Sequence, residues 1–232
     1  MRLLLIACLA ACQAASAQDE PPGKHFEHDM MVRFHMHENF DLVRAIQKLL
    51  VRGNLDEARR LAASIARAPD EPGMQPWATH ATRVRERAAA IANAPSVDEA
   101  LRAEARLADA CAGCHADAGV VPEFRSPPPA PADKPTVEAR MARHLWAADR
   151  LWEGIIGDAD DSWRAGLDVL SATPLPWSKV EGDREPLGKQ LQRLADDARK
   201  MGRSTDRAER ARAYGEILVT CAACHGVKPT KQ

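Results

Sequence analysis

Between residues 27 and 114, and again between 136 and 224, apolar side chains recur every three or four positions with charged residues between them. That period puts the apolar set on one face of a helix. The first stretch predicts helices at about 27–52, 55–67, 77–93 and 97–114. Gly53 reads as a helix stop, and Asn54 with Glu57 three residues on reads as the next start. Pro69 and Pro72 interrupt after the second helix, and Ser96-Val97-Asp98-Glu99 has capping-box form. The second stretch predicts helices near 136–156, 160–172, 185–201 and 206–224. The last helix of each stretch carries a marked stripe: Leu101, Ala105, Ala108, Cys111 and Cys114 in one, and Ala211, Tyr214, Leu218, Cys221 and Cys224 in the other.

Composition agrees with helices throughout. The 232 residues are 45% apolar and 28% charged, enough for a real core. Five Trp, four Phe and one Tyr leave few of the aromatics that strands prefer, whereas Ala, Leu, Arg and Glu are abundant. An all-α fold is expected. A proline-rich run from Pro122 to Pro135 cannot continue a helix and divides the chain. The two sides look alike: Gly53-Asn54-Leu55-Asp56-Glu57 matches Gly157-Asp158-Ala159-Asp160-Asp161, and Pro76-Trp77 matches Pro176-Trp177. The expected organisation is a tandem repeat of about 105 residues. It consists of a four-helix bundle over 18–120, a linker over 121–135 and a second four-helix bundle over 136–232.

Charge and the N-terminus bear on location. A formal net charge of −1 supplies no basic field for nucleic acid or an anionic membrane. Residues 1–17 have the form of a secretory signal: Arg2, an apolar run from Leu3 to Ala11, and Ala15-Ser16-Ala17 as a cleavage site. The apolar run is about half of the roughly 20 residues that span a bilayer, so no transmembrane segment is expected and the periplasm is the expected location. Leu9-Ala10-Ala11-Cys12 also resembles a lipobox, which makes a lipid anchor at Cys12 the alternative to simple export.

The four cysteines beyond the signal all lie in two copies of one motif: Cys111-Ala112-Gly113-Cys114-His115 and Cys221-Ala222-Ala223-Cys224-His225. Two thiols one helical turn apart can each bond to a vinyl group of one haem, and the adjacent imidazole then lies under the iron. The expectation is two covalently bound haem c groups, with His115 and His225 as proximal iron ligands. A thiol–disulfide pair would want the motif at a helix start in a βαβ setting, whereas these motifs end helices. A Cys/His zinc site would have to join motifs 110 residues apart.

With the motif at the end of a fourth helix, each half resembles the class II cytochromes c, the cytochrome c′ family. The resemblance covers nearly all of the mature chain but rests on the haem motif and the order of elements. It implies a sixth iron position facing the first helix, filled by a ligand such as Met or left open. Sixteen residues before Gly53 and Gly157 stand His37 and Met141, the distal ligands expected, with His144 as the alternative in the second half and His35 or Met36 in the first. His25, His28, Met30, Met31 and His35 could alternatively bind copper. Trp146, Trp152 and Trp163 are candidates to line the second haem pocket, and Arg140, Arg143 and Arg150 to neutralise propionates. His115 is followed by Ala116-Asp117-Ala118 and His225 by Gly226-Val227-Lys228, where many of the family carry an aromatic or basic residue.

The function expected is single-electron transfer between redox protein partners. Gas binding at an open iron is the first alternative. A dihaem peroxidase is the second, and it would need a distal acid or base such as His35 or Glu38.

Overall fold

Polar caps set the starts of three helices. Asn54 accepts from the Glu57 amide at 3.4 Å, Ser96 from the Glu99 amide at 3.2 Å and Thr136 from the Ala139 amide at 3.2 Å. The computed structural model describes residues 22–70, 73–122, 129–175, 184–200 and 206–226, with side chains from Met30 onward. Among these residues the fold is all-helical. The elements are α1 (Pro22–Val51), α2 (Leu55–Ala66), α3 (Ala78–Ala92), α4 (Val97–Asp117), α5 (Val137–Ile156), α6 (Asp160–Ser171), α7 (Glu185–Lys200) and α8 (Arg207–Gly226). One 3-10 turn, Gln75–Trp77, leads into α3. Helix α1 starts earlier than its periodicity suggested, with Pro22 at its first position, where a missing N–H costs nothing. Helices α4 and α8 run past their His115 and His225, so each C-x-x-C-H lies inside the last turns of a helix.

The helices pack in chain order. Helix α1 lies on α2, α2 on α3 and α3 on α4, and α1 returns to α4; α5 to α8 repeat that circuit. The two halves meet along α4 and α8, and α4 also touches α5 while α8 touches α1. Each cross-contact therefore has a counterpart in the other half. The seam is close at Gly215, where a Cβ would just touch Ala105 Cβ and Arg102 Cα at 3.4 Å. Arg102 grips Glu216 with two bonds of 2.6 and 3.0 Å, and Arg207 donates to the Ala112 carbonyl at 3.0 Å. One continuous core results, in which Ile46, Leu50, Leu101 and Leu107 join Leu151, Trp152, Tyr214 and Ile217. Burying each such side chain contributes about 1.5–3 kcal/mol.

The repeat register differs by one residue from the glycine match. Helix α1 ends at Val51 and the left-handed residue two positions on is Gly53, with φ +77. Helix α5 ends at Ile156, and the residue two positions on is Asp158, with φ 49, whereas Gly157 has φ −96. Aspartate tolerates the left-handed region because its short polar side chain can bond locally. Gly53 thus corresponds to Asp158, not to Gly157. Pro176 and Trp177, the export signal and Cys12 lie outside the described residues. No helix among those described is long and apolar enough to cross a membrane.

Helices α5 and α6 approach as closely as two glycines allow. A Cβ on Gly166 would lie 2.8 Å from the Ala147 carbonyl oxygen and 2.9 Å from Leu151 Cγ. Backbone cannot yield as a side-chain tip can, so Gly166→Ala should destabilise by about 1–3 kcal/mol despite alanine's better helix propensity. A thermal unfolding midpoint at or above that of the parent protein would contradict this packing.

Candidate functional site

Two apolar cavities flank the α4–α8 seam. The first, of about 220 Å3, is walled mainly by α1, α3 and α4, and Cys111, Cys114 and His115 all face it. The second, of about 400 Å3, is walled by α5, α7 and α8, and Cys221, Cys224 and His225 all face it. A spacing of three residues on a helix puts both thiols of each motif on one face. Each cavity is completed from the other half of the chain. Trp152 and Ile156 at the end of α5 close the first, and Gln47, Val51 and Arg52 at the end of α1 close the second.

The chemistry of the two motifs is alike. All four thiols are free of disulfides. Burial pushes Cys111 and Cys221 up to about 12, with the second thiol of each motif adding to the effect. Cys114 and Cys224 are also raised, chiefly by burial. Burial lowers His115, against the opposing effect of its bond to Ile156, and it lowers His225 together with the charges of Arg184 and Arg52. Both imidazoles are therefore held in the neutral form that ligates metals. His115 Nδ1 lies 3.3 Å from the Ile156 carbonyl oxygen. An acceptor there requires the proton on Nδ1, which leaves the His115 Nε2 lone pair free.

The distal candidates divide sharply. Met141 and His144 both line the second cavity. His144 Nε2 lies 2.7 Å from the Thr173 carbonyl oxygen, so that nitrogen donates and is engaged. In the first cavity the structure brings in His35 and Met36, while His37 is exposed and is not part of the wall. The one-residue register explains this. Met36 stands fifteen residues before Val51, as Met141 stands fifteen before Ile156, and one residue rotates a helix face by about 100°. His35 is bound by Asn39, whose Nδ2 lies 2.8 Å from its Nε2. Glu38 is exposed, as are Met30 and Met31. Among the described residues no group of three or more His, Cys, Asp or Glu gathers in a way that would hold a metal ion.

Other expectations move between cavities. Trp152 lines the first cavity, not the second, because the end of α5 crosses to the other half. Trp163 is buried under the Arg210 guanidinium at 5.7 Å, and Trp146 lies under Arg150 at 5.6 Å. Arg140 pairs with Asp133, Arg143 holds the Pro131 carbonyl and Thr173, and Arg150 pairs with Glu153; none lines either of these two cavities. The cations on the walls are Lys48 and Arg52 in the second cavity and Arg85 in the first. Sequence reasoning also missed His80, a lone imidazole on α3 with no motif around it. Its Nε2 bonds Asp117 at 2.9 Å, and its Nδ1 is buried without a partner at the wall of the first cavity.

A polar and aromatic chain joins the cavities. Trp152, on the first, stacks obliquely on Tyr214 with ring centroids 6.2 Å apart. Gln47, on the wall of the second, donates to the Tyr214 hydroxyl, which in turn donates to the Ala148 carbonyl at 3.3 Å. Among known proteins, no family model, no curated sequence and no solved structure matches this chain.

Proposed function

We propose that the chain is an exported dihaem c-type cytochrome, built from two cytochrome c′-like four-helix bundles in tandem, that carries single electrons between protein partners in the periplasm. The observation that carries this reading is that each C-x-x-C-H has its three side chains on the wall of one apolar cavity, and that the two cavities use equivalent helices. The residues fit the group: paired unbridged thiols, a neutral imidazole beside them and apolar walls. When bound, haem c supplies reversible one-electron chemistry at its iron.

The protein supplies attachment, ligation and an apolar setting. Cys111 with Cys114, and Cys221 with Cys224, would hold the two groups as thioethers. His115 and His225 would be the proximal ligands. The Ile156 carbonyl fixes the His115 tautomer and raises its basicity, which is the usual task of a group bonded to the far nitrogen of a ligating imidazole. Met36 and Met141 would take the sixth positions. In this reading His37 gives way to Met36, and His144 gives way to Met141 because its Nε2 is engaged with Thr173. The Trp152–Tyr214–Gln47 chain gives the two sites continuous contact through the core, which suits a carrier whose two centres exchange electrons. A gas-binding role is the second reading, favoured by the larger second cavity.

The test is the optical spectrum of haem-loaded protein, oxidised and then reduced, with and without CO. Two low-spin haems that CO leaves untouched are the expected result. A high-spin component that CO shifts would overturn pure electron transfer and favour gas binding.

A further inference from the structure

Glu104 is the most unusual side chain in the interior. It lies on α4 among Ala103, Ala105, Leu107 and Ala108, is 0% exposed, and neither carboxylate oxygen has a hydrogen-bond partner. An isolated buried carboxylate is among the costliest groups a core can hold, so such a position persists neutral or carries a use. Its counterpart across the seam makes the contrast plain. Glu104 stands seven residues before Cys111, and Tyr214 stands seven before Cys221. The Tyr214 hydroxyl is satisfied by Gln47 and the Ala148 carbonyl, whereas Glu104 is satisfied by nothing.

The charges around it are few. From α1 comes Arg44, which is already paired with Asp149 and bonded to Gln47. From α8 comes Tyr214. Helix α5 brings Asp149 and the Arg150–Glu153 pair, and α3 buries only the apolar Ala88 and Ile91. On α4 itself Glu104 is close enough to the Cys111 thiol to disfavour its charged form. Burial pushes the Glu104 carboxyl up to about 8, with Arg44 alone opposing.

We propose that Glu104 is a redox-linked proton site, binding one proton when the haem held by Cys111 and Cys114 gains an electron and releasing it on oxidation. The inference rests on the haem reading above. Atoms and charges balance simply: one electron from the redox partner and one proton from solvent enter together, an O–H bond forms on the carboxylate, and no bond breaks. Seven residues of helix rise about 10.5 Å. That is the rise from Glu104 to Cys111, and a unit charge about that far from the carboxyl inside a protein would change its proton affinity roughly tenfold. Arg44 keeps the carboxyl within reach of neutral pH, where that change alters its occupancy. The second haem has Tyr214 in the equivalent place and lacks such a site.

The experiment is a potentiometric titration of the full haem-loaded protein from pH 5 to pH 9, beside Glu104→Gln. An ionised carboxylate favours the oxidised iron. One of the two potentials should therefore fall as pH rises toward and through about 8. In Glu104→Gln that potential should be flat and match the low-pH value of the parent protein, because glutamine imitates the neutral acid. Reduced-minus-oxidised infrared spectra of the parent protein carrying carbon-13 glutamate give a second readout that needs no variant: a labelled protonated-carboxyl band should appear on reduction. An unchanged slope in Glu104→Gln, or the absence of that labelled band, overturns the proton site while leaving the haem reading intact. Intact mass separates the two failures, since protein without haem on Cys111 and Cys114 overturns both.

Discussion

Cys111→Ala with Cys114→Ala should yield a folded protein carrying one covalent haem, whereas Cys221→Ala with Cys224→Ala should yield little folded protein at all. The difference comes from the cavities. An apolar void costs about 24 cal/mol per Å3 that the structure fails to close. Both cavities open to solvent, so each cost falls short of that closed-void rate, but the second, at about 400 Å3 against about 220 Å3, leaves the larger apolar wall without a partner. A chain of this kind has about 5–15 kcal/mol in total, so the larger loss is the one that tells. Because α4 and α8 share one core, the damage spreads: an empty second cavity loosens Leu218 and Leu191, and through Tyr214 and Ile217 the seam itself. Intact mass and the yield of soluble protein give the result directly. Two haems on either variant, or equal yields of both, would contradict this account.

The helices were legible because each level of the sequence agreed. Apolar periodicity, the Asn54 and Ser96 caps and the proline-rich break all point to the elements that form. The six motif residues stood out for a different reason: they form the same C-x-x-C-H pattern twice, and α4 and α8 deliver each set to one wall. On α1 the residue facing the cavity was read one position out, since Met36 lines it and His37 does not. Gly157 looks like the partner of Gly53, yet Asp158 takes the left-handed conformation, so the glycine misstates the register by about 100° of helix face. No local pattern signals that an aspartate will do a glycine's work. Trp152 was assigned to the wrong cavity because a periodic pattern shows which face is buried but not against what. That α5 ends over the first cavity follows from the α4–α8 seam, a long-range contact invisible in either repeat alone. Glu104 was overlooked because nothing singles out one acid on a helix that also carries Glu99, Arg102 and Arg106. Its place beside Ala105 and Ala108 on the stripe that leads to Cys111 was the available sign.

With haem at both motifs as proposed, Met36→Ala with Met141→Ala is expected to open both irons, so that the reduced variant binds CO at both haems where the parent protein should bind none. The argument starts from position. Both methionines lie on the cavity walls, at equal distance from the ends of α1 and α5, and both thioethers are of a type that ligates haem iron opposite histidine. Losing them removes a soft ligand that favours reduced iron. Both potentials should therefore fall, by roughly a few tenths of the 0.8 V range that axial ligands span. His37→Ala is the control, and it should change neither spectrum nor potential, since His37 is exposed and off the wall. The single variants separate the two sites. Met141→Ala should open only the second haem, because the bond to Thr173 must break before His144 Nε2 can turn inward. Met36→Ala should likewise open only the first haem, because His35 is held by Asn39 and His80 by Asp117. If the first haem stays closed to CO in Met36→Ala and opens only when His80→Ala is added, that expectation fails and His80, whose buried Nδ1 has no partner, is the stand-in. If His37→Ala alone opens it, the register derived from Asp158 is wrong, and with it the equivalence of Met36 and Met141.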